Sequence, residues 1–279
     1  MKCAWKELLA ILPPWLKAET DKRSKDHLLE LRLRIFQPVE FISIAGSSWC
    51  LQGACQKDLE YIINMASRYS PWTSSSIKDG YLTAAGGHRI GICGECVVQN
   101  GVMTGIRNPT SMCIRVARDI YGIAPGIRQV QGSVLIIGPP GWGKTTLMRD
   151  LIRNISNSDC GAVSVVDERG ELFPPNCGYE WGRRTDVITG CEKSQGVICT
   201  LKTMGPTWIA VDEITAEKDC DALIEASWCG VKLMATAHAL DIRDLKSREV
   251  YRPLVDKHIF QTVLILQSDK SWRMERMNT

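Results

Sequence analysis

The chain lacks long apolar runs and a large net charge, and each absence excludes classes of protein. No apolar run among its 279 residues approaches the roughly 20 residues of a membrane-spanning helix, so we expect no direct membrane insertion. Charged residues interrupt positions 1–7, where a signal peptide has apolar residues, and we therefore expect a cytoplasmic location. The net charge of +3 is too small to indicate nucleic acid, and no basic stripe carries interleaved aromatic residues.

Cysteine is abundant but scattered, and it does not indicate a disulfide framework. In a chain without an export signal we interpret the 12 cysteines as reduced thiols. Cys93 and Cys96 have the spacing of a metal or redox pair, but no second pair or nearby histidine completes a zinc site. The preferred interpretation is a turn in a hairpin, and a metal or redox role is the alternative.

One stretch fits the phosphate-binding loop of nucleoside triphosphatases, G-x-x-x-x-G-K-[ST]. It reads Gly138-Pro139-Pro140-Gly141-Trp142-Gly143-Lys144-Thr145. Glycines allow the tight path that points backbone N–H groups at phosphate oxygens. The lysine ammonium reaches the β- and γ-phosphates, and the threonine hydroxyl binds Mg²⁺. A glycine-rich turn that matches by accident is the alternative.

The residues around this loop supply the context that the chemistry needs. Residues 133–137 form a short apolar run typical of a buried parallel strand, and residues from Thr146 to position 153 have the apolar spacing of a helix. A strand, a loop and a helix in that order direct a helix N-terminus toward phosphate. No Asn-Lys-x-Asp motif for guanine is present, so we predict that residues 138–146 bind ATP with Mg²⁺.

A second apolar run, residues 208–211, ends in the carboxylates of Asp212 and Glu213. In enzymes with a phosphate loop such a strand is expected beside the strand of the loop, and its first acid, here Asp212, holds Mg²⁺. The glutamate that follows can polarise the attacking water, which makes Glu213 a candidate general base. A strand that ends in solvated acids without a chemical role is the alternative.

Two further strands end in groups that suit the same site. Residues 163–166 precede Asp167 and Glu168, and Glu168 can orient water or metal, with a structural turn as the alternative. Residues 233–236 lead to His238, at a strand end where a polar side chain can sense the γ-phosphate. The sequence does not decide which glutamate is the main base, nor whether the histidine is a sensor or structural.

Arg183 and Arg184 lie in a long polar connection. Arginines in such loops can act in trans as fingers on the nucleotide of a neighbouring subunit. A solvated surface pair is the alternative, and the sequence favours neither.

The pattern of predicted strands and helices changes near position 129. Earlier residues mix short strands and helices. Residues 28–35 alternate apolar and charged residues, which predicts a half-buried strand, and Asn100-Gly101 is the strongest hairpin signal. Residues 121–126 have the composition of a linker. From residue 130 onward apolar strands alternate with helices, which predicts a parallel sheet. We therefore predict a small α+β domain over residues 1–128 and an α/β phosphate-loop domain over residues 129–279.

Taken in chain order, these motifs resemble a known family. After the phosphate loop come Val-Val-Asp-Glu-Arg-Gly-Glu (165–171), Arg-Thr-Asp-Val (184–187), Val-Asp-Glu-Ile (211–214) and Ala-Thr-Ala-His (235–238). This order resembles the stage III sporulation AA family of endospore-forming bacteria, which is similar to the ATPases of type II and type IV secretion and pilus systems. Segments 31–34, 86–91 and 114–118 resemble that family as well, so the likeness covers nearly the whole chain.

The resemblance implies a RecA-like motor domain preceded by a small α+β domain, assembled into a ring that we expect to be a hexamer. It implies that Glu168 belongs to the acidic box and His238 to the histidine box of secretion ATPases. It also implies that Arg89 and Arg115 reach over the nucleotide as fingers. The implied role is to energise a channel between mother cell and forespore, from the mother-cell cytoplasm and docked on membrane-embedded proteins.

Two other functions remain as alternatives. RecA-like ATPases also act on nucleic acid as motors or loaders, although the missing basic stripe argues against that here. A nucleotide-gated scaffold with little hydrolysis is the second alternative, and Glu213 and Glu168 argue against it because a pure binder needs no base.

Overall fold

The computed structural model describes residues 2–67, 80–174 and 177–277. Contacts between residues divide the chain into two compact units. Unit 1 consists of Met1–Asp119 with Pro174–Tyr179, and unit 2 consists of Ile120–Phe173 with Glu180–Thr279. The predicted domain boundary after residue 128 lies further along the chain than this division, and the independence of the two domains stays a prediction.

Unit 1 is built on antiparallel strands. The strands are β1 (Lys2–Cys3), β2 (Leu28–Arg34), β3 (Pro38–Ser43), β4 (Gly46–Gly53), β5 (Tyr81–Thr83), β6 (Arg89–Gln99), β7 (Val102–Arg115) and β8 (Arg118–Asp119). The helices are α1 (Trp5–Ile11), α2 (Pro14–Asp21) and α3 (Gln56–Ser67), with a 3-10 turn at Ala85–Gly87. Six strands form one sheet in the order β4-β3-β2-β7-β6-β5, and β1 pairs with β8. In β2, Leu31 and Leu33 are buried while the arginines that follow them are not, which confirms the predicted half-buried strand.

Two turns of unit 1 depend on backbone conformations that glycine favours. Asn100 and Gly101 have positive φ of 52° and 78° between β6 and β7, and this confirms the predicted hairpin turn. Gly86 has a φ of 80°, and a Cβ added there would lie 2.5 Å from the Cβ of Ala4. A larger residue at position 86 would therefore displace the chain at the start of α1.

The interpretation of Cys93 and Cys96 as turn residues is wrong. Both lie within β6, where the pairing with β7 shifts register between Cys93 and Glu95. Gly94 fits this bulge because a Cβ there would lie 2.8 Å from the carbonyl oxygen of Arg107. The spacing that resembled a turn therefore reflects a bulge, and the chain reverses only later, at Gly101.

Unit 2 alternates strands with helices. The strands are β9 (Val134–Ile137), β10 (Val163–Asp167), β11 (Thr185–Thr189), β12 (Trp208–Val211), β13 (Lys232–Ala237), β14 (Thr262–Leu266) and β15 (Trp272–Arg276). The helices are α4 (Lys144–Asn157), α5 (Lys193–Met204), α6 (Glu217–Trp228), α7 (Ile242–Ser247) and α8 (Arg252–Asp256), with 3-10 turns at Ile127–Gln129 and Glu249–Tyr251. Every residue of β9, β10, β12 and β14 is buried, as expected of strands covered on both faces.

The sheet of unit 2 has the order β11-β10-β12-β13-β9-β14-β15. Its neighbours are parallel except β14 and β15, which confirms the predicted parallel sheet. The expectation that the strand before Asp212 lies beside the phosphate-loop strand is wrong, because β13 pairs with both and separates them. Strand order depends on pairing between residues far apart in sequence, and no local pattern encodes it.

Two segments of unit 2 differ from their predicted state. Thr185 and Asp186, predicted to continue the polar connection of Arg183 and Arg184, instead begin the edge strand β11, which pairs on one side only and keeps exposed polar residues. Residues 121–126, predicted as a linker, are held on α4, where Asp150 accepts the N–H groups of Ile123 and Ala124 at 2.8 Å each. Across the described residues, no helix has the length and apolar character needed to cross a bilayer.

Candidate functional site

The phosphate loop connects β9 to α4, and two glycines shape its backbone. Gly141 and Gly143 have φ of 77° and 101°, and a Cβ at either position would meet no atom within 4 Å. Glycine is therefore required here by the backbone conformation and not by crowding. Within the described part of the chain, no protein acceptor meets the backbone N–H groups of residues 141–146. The loop and the first turn of α4 present a row of donors of the kind that binds an anion.

Lys144 begins α4, and its ammonium group is bound to acceptors of the site itself. Its Nζ donates to the carbonyl oxygens of Gly138 at 2.9 Å and Pro139 at 3.1 Å, and to Nδ1 of His238 at 2.9 Å. Burial lowers the pKa of Lys144, and the carboxylate of Glu213 opposes this shift. Phosphate oxygens carry full negative charge, so they are stronger acceptors for this ammonium than the neutral groups that now hold it.

His238 joins this lysine to the candidate general base. Its Nε2 lies 2.9 Å from Oε1 of Glu213. Because Lys144 donates to Nδ1, the bonding network assigns the hydrogen of a neutral imidazole to Nε2, which donates to Glu213. The backbone N–H of His238 donates to the hydroxyl of Tyr251 at 3.3 Å, and that hydroxyl donates to the carbonyl of Ile214. A continuous line of hydrogen bonds therefore runs from the lysine to the glutamate.

Asp212 follows the last residue of β12, and Thr236 of β13 lies beside it. Oγ1 of Thr236 donates to Oδ1 of Asp212 at 3.2 Å and accepts the N–H of Glu213 at 3.0 Å. Burial raises the pKa of Asp212 to about 6, and the hydrogen bond from the Glu213 N–H only partly opposes this. The carboxylate is therefore held in a position where a nearby cation would favour its charged form.

The oxygens of Asp212 and Thr145 suit a hard cation such as Mg²⁺. Among the residues described, Oδ2 of Asp212 and the hydroxyl of Thr145 have no hydrogen-bond partner from the protein. Carboxylate and hydroxyl oxygens, completed by water and phosphate, are the ligands that Mg²⁺ prefers. No group of three or more His, Cys, Asp or Glu side chains in the described ranges could hold a metal by itself. A cation at this edge would therefore take its other ligands from phosphate and water.

Both candidate bases line one small cavity of about 40 Å³ together with Asp212. Their surroundings differ, because Oε2 of Glu168 lies 2.5 Å from Nζ of Lys193 in an ion pair. Glu168 therefore already has the ammonium of Lys193 as its partner. Glu213 has the histidine as its partner instead.

Asp167, next to Glu168, has a structural role. It is fully buried, and its carboxylate accepts the N–H groups of Glu171 at 2.8 Å and Phe173 at 2.9 Å. These bonds hold the turn that follows β10. The alternative of a structural turn therefore applies to Asp167, whereas Glu168 faces the cavity.

Three residues of this site were not singled out from the sequence. Lys193 carries a positive charge in the first turn of α5, where the helix dipole disfavours a cation, and this placement was a usable signal for a nearby acid. Thr236 precedes the histidine by two residues, as expected of side chains on one face of a strand. Tyr251 gave no local signal, since its contact with His238 depends on how the chain returns after β13.

Arg183 and Arg184 lie away from the phosphate loop of their own chain. They form the turn before β11, at the amino edge of the parallel sheet, whereas the loop follows the carboxyl end of β9. Arg184 donates to the carbonyl oxygens of Ser156 and Ser158 at the end of α4. A finger role on the nucleotide of another subunit stays a prediction for both arginines.

Arg89 and Arg115 lie in unit 1, directly opposite each other on β6 and β7. The guanidinium of Arg89 lies over the ring of Tyr81, 4.4 Å from its centroid, and Nε of Arg115 lies 3.6 Å from Oε1 of Glu30. Because the two arginines are directly opposite, their side chains lie on the same face of the sheet. Their reach over a nucleotide stays a prediction.

At the level of the fold, the protein is a mixed α/β chain with a parallel sheet and a phosphate loop at the carboxyl edge of that sheet. Its fold is similar to that of solved ATPase structures. The structure of the pilus retraction motor PilT with bound ADP matches 95% of this chain and 82% of its own, with a TM-score of 0.66 and 12% identity. The ATPase DotB of Legionella pneumophila matches 95% of this chain and 80% of its own, with a TM-score of 0.57 and 15% identity. At such identities these likenesses concern the fold alone.

The sequence identifies the family within that class. The model of the family "Sporulation stage III, protein AA" matches residues 7–274, and the chain belongs to this family. Stage III sporulation protein AA of Bacillus subtilis (strain 168) is 35% identical over 280 aligned residues, which cover 95% of this chain and 91% of that protein. The Arabidopsis thaliana protein SEEDLING PLASTID DEVELOPMENT 1 is 28% identical over 85% of this chain but only 34% of its own length.

Proposed function

We propose that this protein is an ATP hydrolase of the secretion-ATPase type, with a RecA-like motor domain that follows a small α+β domain along the chain. Its work would be to energise an export or channel complex between mother cell and forespore during sporulation. One observation carries the proposal: the hydrogen-bonded line from Lys144 through His238 to Glu213, next to Asp212, at the carboxyl edge of a parallel sheet. A protein that only binds nucleotide does not need the contact between His238 and Glu213.

Nucleotide binding begins with the lysine. Lys144 exchanges the carbonyls of Gly138 and Pro139 for the β- and γ-phosphates, while the N–H groups of residues 141–146 bind the remaining oxygens. Thr145 and Asp212 would hold Mg²⁺, which neutralises charge that develops on the phosphates. This exchange also removes the donor that His238 has at Nδ1, so the histidine is placed to respond to the phosphates.

Water activation is assigned to Glu213. Its Oε2 has no donor among the described residues and lines the same edge as Asp212, whereas Glu168 is paired with Lys193. His238 holds Oε1 and so fixes the carboxylate that receives the proton of the attacking water. Glu168, which lines the same cavity, would then orient water or the Mg²⁺ ion.

The protein would work as a ring, expected to be a hexamer, docked from the cytoplasm of the mother cell on membrane-embedded proteins. Arg89 and Arg115 are the proposed fingers of unit 1, since they place two guanidinium groups on one face of the sheet and such groups bind phosphate oxygens. Arg183 and Arg184 are the second candidates, and only for a neighbouring subunit. Closure of the first unit on ATP and its release after hydrolysis would supply the mechanical step.

The first test is steady-state hydrolysis of Mg²⁺-ATP against protein concentration for the wild type, Glu213→Gln and Glu168→Gln. Specific activity should rise with concentration if assembly completes the site. Glu213→Gln should lower it by at least about a hundredfold and Glu168→Gln by less, because only the first removes the base. Equal losses would overturn the assignment of the base, and wild-type activity at background with nucleotide bound would favour the nucleotide-gated scaffold.

A further inference from the structure

A second cavity lies on the α7 and α8 region of unit 2 and shares no residue with the phosphate-loop site. It measures about 400 Å³, within the range of small-molecule sites, and it is open to solvent. Its lining consists of Lys246, Arg252, Val255, Asp256 and His258. Three of these five side chains are basic, and the valine supplies an apolar wall.

The basic groups of this cavity are not neutralised by the protein. Within the described ranges, the side chains of Lys246, Arg252 and His258 make no hydrogen bond or ion pair, and neither does Asp256. Nearby Arg248, in contrast, is paired with Asp244 at 3.0 Å. Basic groups gathered around one cavity without contact to a carboxylate create a positive potential that an anion relieves.

His258 occupies a backbone position that favours glycine. Helix α8 ends with the N–H of Ile259 bonded to the carbonyl of Leu254 and the N–H of His258 bonded to that of Val255, both at 3.0 Å. This is the Schellman arrangement, and the residue after its cap, here His258 with a φ of 50°, is most often glycine. A histidine at that position supplies a side chain to the cavity at a cost in backbone strain, and such strain is often found at ligand sites.

We propose that this cavity binds the phosphoryl group of a ligand that also carries a hydroxyl. The planar donors of Arg252 and the ammonium of Lys246 can each bind a different oxygen of one phosphate, which offers more acceptor oxygens than a carboxylate. Asp256, an unpaired acceptor on the same lining, would repel a bare dianion but would accept a hydrogen from a hydroxyl. A soluble phosphate ester and a phospholipid headgroup with hydroxyls share this chemistry.

The test is lysine acetylation followed by mass spectrometry of the full-length protein, because it reports each lysine separately from the phosphate loop. The soluble probe is glycerol 3-phosphate, and the membrane probes are vesicles of phosphatidylglycerol and of phosphatidylcholine. At a probe concentration about four times its dissociation constant, Lys246 should be acetylated about fivefold more slowly. Exposed Lys202 on α5 is the internal control and should react at an unchanged rate.

Variants separate the cavity from general surface charge. Arg252→Ala and His258→Gly should abolish the protection of Lys246, whereas Arg243→Ala, an exposed arginine outside the lining, should keep it. His258→Gly should also leave the thermal midpoint unchanged or raise it, since glycine suits that backbone, so loss of binding would not reflect unfolding.

Protection by glycerol 3-phosphate supports a soluble ester, and protection only by phosphatidylglycerol vesicles supports a lipid headgroup. Absence of protection with every probe overturns the proposal. Protection that persists in Arg252→Ala and His258→Gly, or that equally affects Lys202, overturns it as well.

Discussion

The sheets of the two units carry their polar residues in different places. In unit 2, β9 and β12 are buried at every position, and the reactive groups stand just beyond the strand ends, as Lys144 and Asp212 do. In unit 1, β2 and β7 are buried on one face only, and charged residues such as Glu30 and Arg115 lie along the strands on the other. A parallel sheet covered on both faces leaves only its edges for chemistry, whereas an antiparallel sheet with one open face offers a surface.

The two kinds of sheet also place their functional candidates differently. The edge of the parallel sheet collects Lys144, His238 and Glu213 into direct contact within one unit. The open face of unit 1 places Arg89 and Arg115 directly opposite each other on one surface of the sheet. The first arrangement is complete within one unit, whereas the second lies on an exposed surface.

Substitution of the lysine should break the edge site. Lys144→Ala should weaken nucleotide binding by about 2.7 kcal/mol, or about a hundredfold, because it removes a charge-assisted contact to phosphate. The measurement is a fluorescent-nucleotide titration, with Lys202→Ala on the exposed side of α5 as the matched control. Equal affinity of Lys144→Ala and wild type would sink the assignment of the phosphate loop.

Mixtures of wild-type and variant subunits should show whether Arg89 acts on the nucleotide of a neighbouring subunit. If Arg89 acts in trans, adding Arg89→Ala subunits to wild type should depress ATP hydrolysis by more than dilution, since each variant also disables a neighbour. Activity is measured at constant total protein over a series of ratios, with Arg34→Ala subunits as the control from the same sheet. Activity strictly proportional to the wild-type fraction would count against a finger in trans.

The stability of the protein should fall at acidic pH because of the buried His88 in unit 1. His88 is fully buried, donates from Nε2 to the carbonyl of Ala4 and accepts the N–H of Ala117 at Nδ1, and burial lowers its pKa. A histidine with a lowered folded-state pKa takes up a proton more readily when unfolded. Stability is therefore complete above the unfolded pKa of about 6.5 and falls as pH drops toward the folded value.

The measurement for this histidine is the thermal midpoint between about pH 7.5 and pH 5.5, a window chosen to bracket the unfolded histidine pKa. Wild type should lose stability across this window, and His88→Gln, which keeps a donor and an acceptor without titrating there, should lose less. Parallel curves for the two proteins would assign the acid sensitivity to other groups.

The smallest effect concerns Arg89 and Arg115, which lie opposite each other on β6 and β7. Arg115→Thr should stabilise the protein without nucleotide by about 0.5 kcal/mol, because it removes a like charge opposite Arg89 and places a β-branched residue in a strand. The loss of the exposed contact with Glu30 is worth little. Chemical denaturation measures the change, and destabilisation of the same size would show that the pair is not strained.

Elements with a strong local pattern were predictable. The apolar runs of β9 and β12, the alternation of β2 and the Asn100-Gly101 turn all match the structure, because each depends on neighbouring residues. The edge strand Thr185–Thr189 was missed because half-exposed polar residues hide its pattern. Cys93 was placed in a turn because a bulge and a turn both use glycine, and sequence does not show which strand lies opposite.

The candidate site was predictable in its residue types but not in its contacts. Lys144, Asp212, Glu213 and His238 were recognised because each follows an apolar strand, and carboxyl ends of parallel strands share one edge. The pairing of Glu168 with Lys193, which separates the two candidate bases, could not be read from sequence. This pairing depends on where α5 packs against the sheet, and that position is set by many residues far apart in sequence.

Local sequence patterns were enough to predict the phosphate loop, the acids at the strand ends and the parallel sheet, since glycine conformations and apolar periodicity act over a few neighbouring residues. The position of β13 between β9 and β12 depends on the fold of the whole unit, and it is this position that brings His238 to both Lys144 and Glu213. It also decided that Lys246 and His258 line one cavity. Contacts between distant residues follow from the packing of the whole unit, because burial and hydrogen bonding select one arrangement among many that local preference allows.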